Sequence, residues 1–185
     1  YNKAGLWPTA GNAQQIRGLF AGGEWSPSGT VNTIDYITIN TTGNATDFGD
    51  LAANTYSPCG FSSSTRGVFA GGFAGGRLNT IQYVTIDTTG NSTDFGDILI
   101  SASALAGLSS STRGIAGGGY ASGGRNEIQY VTIATTGNAT DFGNLTVARW
   151  YLTGTSSPAR GLFAGGNSSN VTIDYITIAS TGNAI

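Results

Sequence analysis

The sequence predicts an all-β fold, a β-propeller of four blades, and three observations carry that prediction. The chain of 185 residues repeats itself four times at a period of about 47, a length that signals a solenoid or a propeller. Each copy parses into four short β-branched or aromatic segments separated by turn residues. No segment carries the 3.6-residue period of an amphipathic helix, which excludes the helical repeats.

Composition narrows the class first. Gly, Thr, Ser, Asn and Ala dominate, so the chain is either low-complexity disorder or an all-β protein of short strands and tight turns. Apolar clusters of Ile, Val, Leu, Tyr and Phe at fixed places decide for the second. Charged residues make up 10% and the formal charge is −2, which offers no electrostatic reason for nucleic acid or acidic membrane as partner. No apolar run approaches 18 residues, so no helical membrane span is expected. The one cysteine, Cys59, excludes an internal disulfide, and histidine is absent. The commonest general base and the commonest transition-metal ligand are therefore both missing.

The elements follow in order. Strand a, near 56–62, 105–109 and 151–155, ends in a polar turn, Ser-Ser-Thr-Arg in the second and third copies. Strand b begins at Arg17, Arg66, Arg113 and Arg160 and ends in Gly-Gly or its equivalent. Glycine at these ends is expected to let strand b crowd the axis. Strand c carries Ile-(Asp/Gln)-Tyr-(Ile/Val)-Thr-Ile around Tyr36, Tyr83, Tyr130 and Tyr175. Its Ile and Val do not alternate with polar residues, so both faces are expected to be covered. Gly-Asn follows each tyrosine by seven residues and supplies the φ > 0 positions of a tight turn. Strand d, Thr-Asp-Phe-Gly-(Asp/Asn), holds Phe48, Phe95 and Phe142.

Every spacing inside the repeat is constant except arginine to tyrosine, which is 19, 17, 17 and 15 residues. All length variation thus falls in one loop after Gly-Gly: 24–32, 73–79, 120–126 and 167–170. Steps of two preserve side-chain parity if the flanking strands grow with the loop.

This order of apolar strand, polar turn, apolar strand, Gly-Gly, variable loop, Tyr strand, turn and aromatic strand resembles the kelch repeat of β-propellers. Gly71-Gly72, Tyr83 and Phe95 fill the kelch places, with Phe where kelch has Trp, so the chain looks like a divergent relative. The near-identical copies also resemble repeat proteins of tailed phages, particularly marine ones, which implies a structural role in a virion.

The chain reads as a single repeat domain, 1–185, with repeats of approximately 1–48, 49–95, 96–142 and 143–185. Strands a, b and c occur four times but d three times. One blade therefore lacks its edge strand or completes it across the termini. A four-bladed ring with one thin blade is favoured over a window of a longer array or a ring shared by several chains.

No catalytic constellation can be assembled. Asp-Phe-Gly lacks every companion motif of a kinase, the aspartates of strand d fit no calcium loop, and Gly117–Gly119 precedes no phosphate-binding helix. No enzyme activity, metal or cofactor is expected. Arg17, Arg66, Arg113 and Arg160 recur once per copy, either tying down turns by hydrogen bonds to carbonyls or aspartates or forming an anion ring at the channel mouth. Aromatic residues outside the core, Trp7, Tyr56 and Trp150 before strand a and Trp25, Phe73 and Tyr120 after Gly-Gly, are gap fillers or ligand platforms. Cys59, where other copies have Ala106 and Thr153, reads as a small core residue.

The expected function is that of a non-enzymatic structural or decorating protein of an extracellular particle such as a virion, its partners the other protein subunits of that particle or fibre. The alternative is a carbohydrate-binding module that recognises host surface glycan through the aromatic loops.

Overall fold

The structure, a computed structural model, describes residues 4–6, 17–25, 29–167 and 171–185. Its strands fall into four antiparallel sheets in chain order. The first contains β1 (Ala4–Leu6), β2 (Arg17–Ala21), β5 (Thr33–Thr38) and β6 (Thr46–Asp50), with a small hairpin, β3 (Glu24–Trp25) and β4 (Gly29–Thr30), rising from the b–c connection. The second is β7 (Cys59–Ser62), β8 (Arg66–Ala70), β9 (Thr80–Thr85) and β10 (Thr93–Asp97). The third is β11 (Ala106–Ser109), β12 (Arg113–Gly117), β13 (Glu127–Thr132) and β14 (Thr140–Asn144). The fourth has three strands, β15 (Thr153–Ser156), β16 (Arg160–Ala164) and β17 (Ile173–Thr177). No helix forms among the described residues. This repeated arrangement is compatible with a propeller, but among the described residues the series is not closed into a ring.

The turns explain the repeated sequence. In the a–b turn, the Ser63 hydroxyl accepts the Arg66 N–H at 3.2 Å and the Thr65 N–H at 3.3 Å. Ser110 does the same for Arg113 and Thr112, and Ser157 for Arg160. These hydroxyls satisfy donors that the short strands leave over. The Asp-Phe-Gly triplets are β-bulges: pairing with strand c skips from Asp94 to Gly96 and leaves Phe95 as the extra residue. Phe48 and Phe142 are skipped in the same way. A bulge bends and re-aims its strand, and here the phenylalanine lies buried with its ring edge-on to the tyrosine of strand c.

The core lies between sheets rather than within one. One apolar cluster joins Val68, Ile81 and Phe95 of the second sheet to Ala116, Val131 and Ile133 of the third. A second joins Leu108, Ile115 and Phe142 to Phe163, Ile176 and Ile178 of the fourth. The third cluster sets Leu19, Ile34 and Phe48 against Phe69, Val84 and Ile86. In the second and third sheets both faces of strand c are thus used, one toward each neighbour, which is why its apolar residues do not alternate. A single sheet of this size cannot bury such surface alone, and stacking supplies the stability.

The Gly-Gly after strand b lies against backbone of the next repeat, where a Cβ on Gly22 would collide with the Thr55 carbonyl and one on Gly71 with the Ala102 carbonyl. Strands a pack on one another just as closely. A Cβ on Gly107 would collide with the Gly60 carbonyl, and one on Gly154 with the Gly107 carbonyl. Backbone lies on backbone there, and glycine is required for that approach. Serines two residues on cross-link the same strands: the Ser109 hydroxyl donates to the Ser62 carbonyl at 2.8 Å and Ser156 to the Ser109 carbonyl at 2.7 Å. The variable loop also has a physical account. In the second and third copies it closes on a single bridge, Phe73 to Arg77 and Tyr120 to Gly124. The first copy is two residues longer and forms two pairs, Glu24–Thr30 and Trp25–Gly29.

Candidate functional site

The repeated polar residues converge on the joints between successive sheets. Each arginine at the start of strand b stacks on the tyrosine of its own strand c, with its guanidinium carbon 4.3 to 4.7 Å from the ring centroid. Three of them also donate across a joint: Arg17 to the Ile86 carbonyl at 2.7 Å, Arg66 to Ile133 at 2.9 Å and Arg113 to Ile178 at 2.8 Å. The carbonyl belongs to the next sheet, not to the arginine's own turn. Arg160, in the last sheet, is exposed and has no following sheet among the described residues.

A second tie lies at the opposite edge of each sheet. The c–d turn of one sheet pairs with strand d of the sheet before it. The Gly90 N–H donates to the Phe48 carbonyl at 2.7 Å and the Asn91 side-chain oxygen accepts the Asp50 N–H at 3.0 Å. Gly137 and Asn138 repeat this on β10, and Gly182 and Asn183 on β14. The glycine of each Asp-Phe-Gly, at φ between 144° and 147°, lies so near that turn that a Cβ would collide with it.

A third tie comes from the residue before the strand c tyrosine. Gln82 accepts the Ala52 N–H at 2.8 Å and Gln129 the Leu99 N–H at 2.7 Å. In the last joint Asp174 takes this place and accepts from Thr146. Its negative charge is matched by Arg149, 3.0 Å away and 0% exposed. Arg149 also donates to the Phe163 carbonyl at 3.2 Å, while its Nε and Nη1 have no partner. The second and third copies have Thr55 and Ala102 at the Arg149 position. Sequence reading missed this pair because Arg149 occurs in one copy, and the Asp of strand c gave no signal of its own since Asp35 stands there in the first copy.

The aromatic candidates separate by position. Trp7 lies outside the described residues. Trp25 falls in β3, where its backbone pairs with Gly29. Tyr56 and Phe73 exchange backbone hydrogen bonds at 3.1 and 2.9 Å, with ring centroids 5.2 Å apart. Tyr120 packs on Trp150 at 5.0 Å, and the Arg77 guanidinium covers Tyr120 at 4.5 Å. Tyr56, Phe73, Arg77, Tyr120 and Trp150 therefore line one end of three consecutive sheets. All four rings are half-buried.

The two outermost faces are incomplete. In the first sheet Phe20, Ile37 and Ile39 hold the places of Phe69, Val84 and Ile86, yet Ile39 is 41% exposed and the other two are half-buried. In the fourth, Ile173 holds the place of Ile34, Ile81 and Ile128, each 0% exposed, but is itself 65% exposed. Leu162 and Ala164 beside it are also half-uncovered. Open grooves beneath the c–d turns, lined by Tyr36, Thr38, Thr41 and Asn44 and again by Tyr83, Thr85, Thr88 and Asn91, are polar and shallow.

No group of three His, Cys, Asp or Glu side chains comes together among the described residues. Cys59 is buried and unpaired, and burial pushes its thiol up to about 12. No protein-family model matches the chain, and no curated protein matches its sequence.

Proposed function

We propose that the chain is a non-enzymatic structural or decorating protein of an extracellular particle such as a virion, acting through protein–protein contact at the two ends of its stacked sheets. In this reading the sheets are kelch-like propeller blades and the partners are other subunits of the particle. One observation supports it above the rest: the outer faces of the first and fourth sheets carry the two apolar halves of a joint that the chain buries three times internally. Apolar surface of that kind favours a partner.

Analytical ultracentrifugation across a concentration series tests this reading. The chain is expected to form end-to-end oligomers or to bind a particle subunit. Ile39→Asp and Ile173→Asp are each expected to abolish that association without loss of secondary structure. A chain that stays monomeric and partner-free, with both variants silent, overturns the reading.

The aromatic row supports a second reading, glycan recognition, because half-buried Tyr and Trp rings with polar edges suit sugar stacking. Titration with bacterial surface oligosaccharides discriminates the two. Loss of binding in Trp150→Ala and Trp25→Ala favours the lectin, and indifference to sugar favours the structural role.

A further inference from the structure

One guanidinium inside the stack is held on a ring and bonded to nothing else. Arg77, in the b–c loop of the second sheet, lies 4.5 Å from the centroid of the Tyr120 ring in the third and is exposed. Among the described residues its side chain makes no hydrogen bond and no ion pair. Arg17, Arg66 and Arg113 instead donate to carbonyls of the next sheet, Arg125 pairs with Glu127, and Arg149 pairs with Asp174. The N–H donors of Arg77 are therefore open to a ligand, and stacking has already fixed the plane they lie in.

The repeat explains how the arginine comes to lie there. Arg77 precedes its strand c tyrosine by six residues, the place that Gly124 holds in the third copy. A Cβ on Gly124 would meet the Trp150 ring at 3.0 Å, so glycine there makes room for the indole. In the preceding joint the large and small residues change places: Ser103 stands at the Trp150 position and Arg77 at the Gly124 position. With serine there, the long Arg77 side chain reaches Tyr120 across the joint. Tyr120 thus carries the guanidinium at 4.5 Å and the indole at 5.0 Å. Trp150 is half-buried, and neither its Nε1–H nor the Tyr120 hydroxyl has a hydrogen-bond partner among the described residues.

We infer that Arg77, Tyr120 and Trp150 form a site for an acidic saccharide, a sugar of the hexuronate class. The indole offers an apolar face to the sugar ring and an N–H to one of its hydroxyls. The guanidinium fork takes the ring carboxylate through paired hydrogen bonds. Tyr120 acts as a positioning residue, holding the guanidinium beside the indole and adding a hydroxyl of its own. A neutral sugar leaves the guanidinium donors without a partner. An acidic peptide satisfies the fork but brings no ring of hydroxyls for the indole N–H and the Tyr120 hydroxyl. This inference rests on the glycan reading and names the class of glycan.

The probes are tri-galacturonate and neutral galactotriose, each titrated into the isotope-labelled full chain. NMR follows the Trp150 indole N–H signal, identified as the one lost in Trp150→Phe. Tri-galacturonate is expected to shift that signal saturably, and galactotriose to bind about tenfold more weakly. Arg77→Gln is expected to weaken uronate binding about tenfold and to leave galactotriose unchanged. Because Arg77 is exposed, that variant should melt like the parent. A tri-aspartate peptide is expected to bind more weakly than the uronate, and equal binding overturns the saccharide assignment. Equal binding of the two sugars, uronate binding undiminished in Arg77→Gln, or a sugar that binds without moving the Trp150 signal overturns the acidic site and leaves the glycan reading standing. If neither sugar binds at millimolar concentration, both fall.

Discussion

At the scale of single residues, the Arg149–Asp174 pair shows how one joint departs from its siblings. Both groups are buried, so each depends on the other to offset its lost hydration. Arg149→Ala is expected to cost about 3–5 kcal/mol, because it strands a buried carboxylate. The double variant Arg149→Ala with Asp174→Gln reproduces the Ala102 and Gln129 arrangement of the joint before it. It is expected to recover most of that loss or to exceed the parent, since it also removes the two unpartnered guanidinium nitrogens. Urea unfolding of the three chains measures both outcomes. Cys59 makes a simpler case. Its folded thiol is raised above the ordinary value of 9.0, so the neutral form is favoured by folding. That contribution is fully present below about pH 9 and is lost as pH rises toward about 12. Alkylation by iodoacetamide at pH 8.5 should therefore be negligible in the native chain and rapid in urea.

At the scale of elements, the strand order was legible and the reason for it was not. Gly-Gly, the strand c tyrosine and the Asp-Phe-Gly triplet mark where strands begin and end, and the missing fourth copy of d follows from counting. The bulge at Phe95 was not readable, because a two-for-one pairing leaves no signature beyond a glycine that many turns share. The joints were hidden for a different reason. Asn91, Gln82 and Arg66 find their partners in a neighbouring repeat, and nothing local distinguishes Asn91 from an ordinary turn residue. The conspicuous Gly-Gly does lie against backbone of the next repeat, at Gly22, Gly71 and Gly118. The single glycine inside strand a, Gly107 or Gly154, makes the same approach and is far less conspicuous in the sequence. The aromatic residues flanking the strands are visible in the sequence, but their pairing across loops, Tyr120 on Trp150 for example, depends on how the sheets stack. The bulge gives a prediction at this scale. Phe95→Ala should cost about 3–5 kcal/mol, whereas Tyr151→Ala, at an exposed position, should fall within about 0.5 kcal/mol. Thermal melts of the two variants make the comparison.

At the scale of the whole molecule, stability resides in three similar joints, so the chain behaves as a short one-dimensional array. The second and third sheets are covered on both faces, and the first and fourth on one. Hydrogen exchange should follow that order: slowest amides in β8, β9, β12 and β13, fastest in β15, β16 and β17. Exchange read by mass spectrometry checks it, and uniform protection across the four sheets would contradict the additive picture.

The arginine ties carry one more consequence. Each runs the same way, from a guanidinium in one sheet to a carbonyl in the next, so the stack has a chemical polarity. One end presents Arg160 and the other presents the backbone after strand c of the first sheet, at Ile39. Two copies meeting by like ends would set guanidinium against guanidinium or carbonyl against carbonyl. A two-fold dimer through these surfaces is therefore disfavoured, and any association through them is expected to be heterologous, closing as a cyclic ring or running on as a filament.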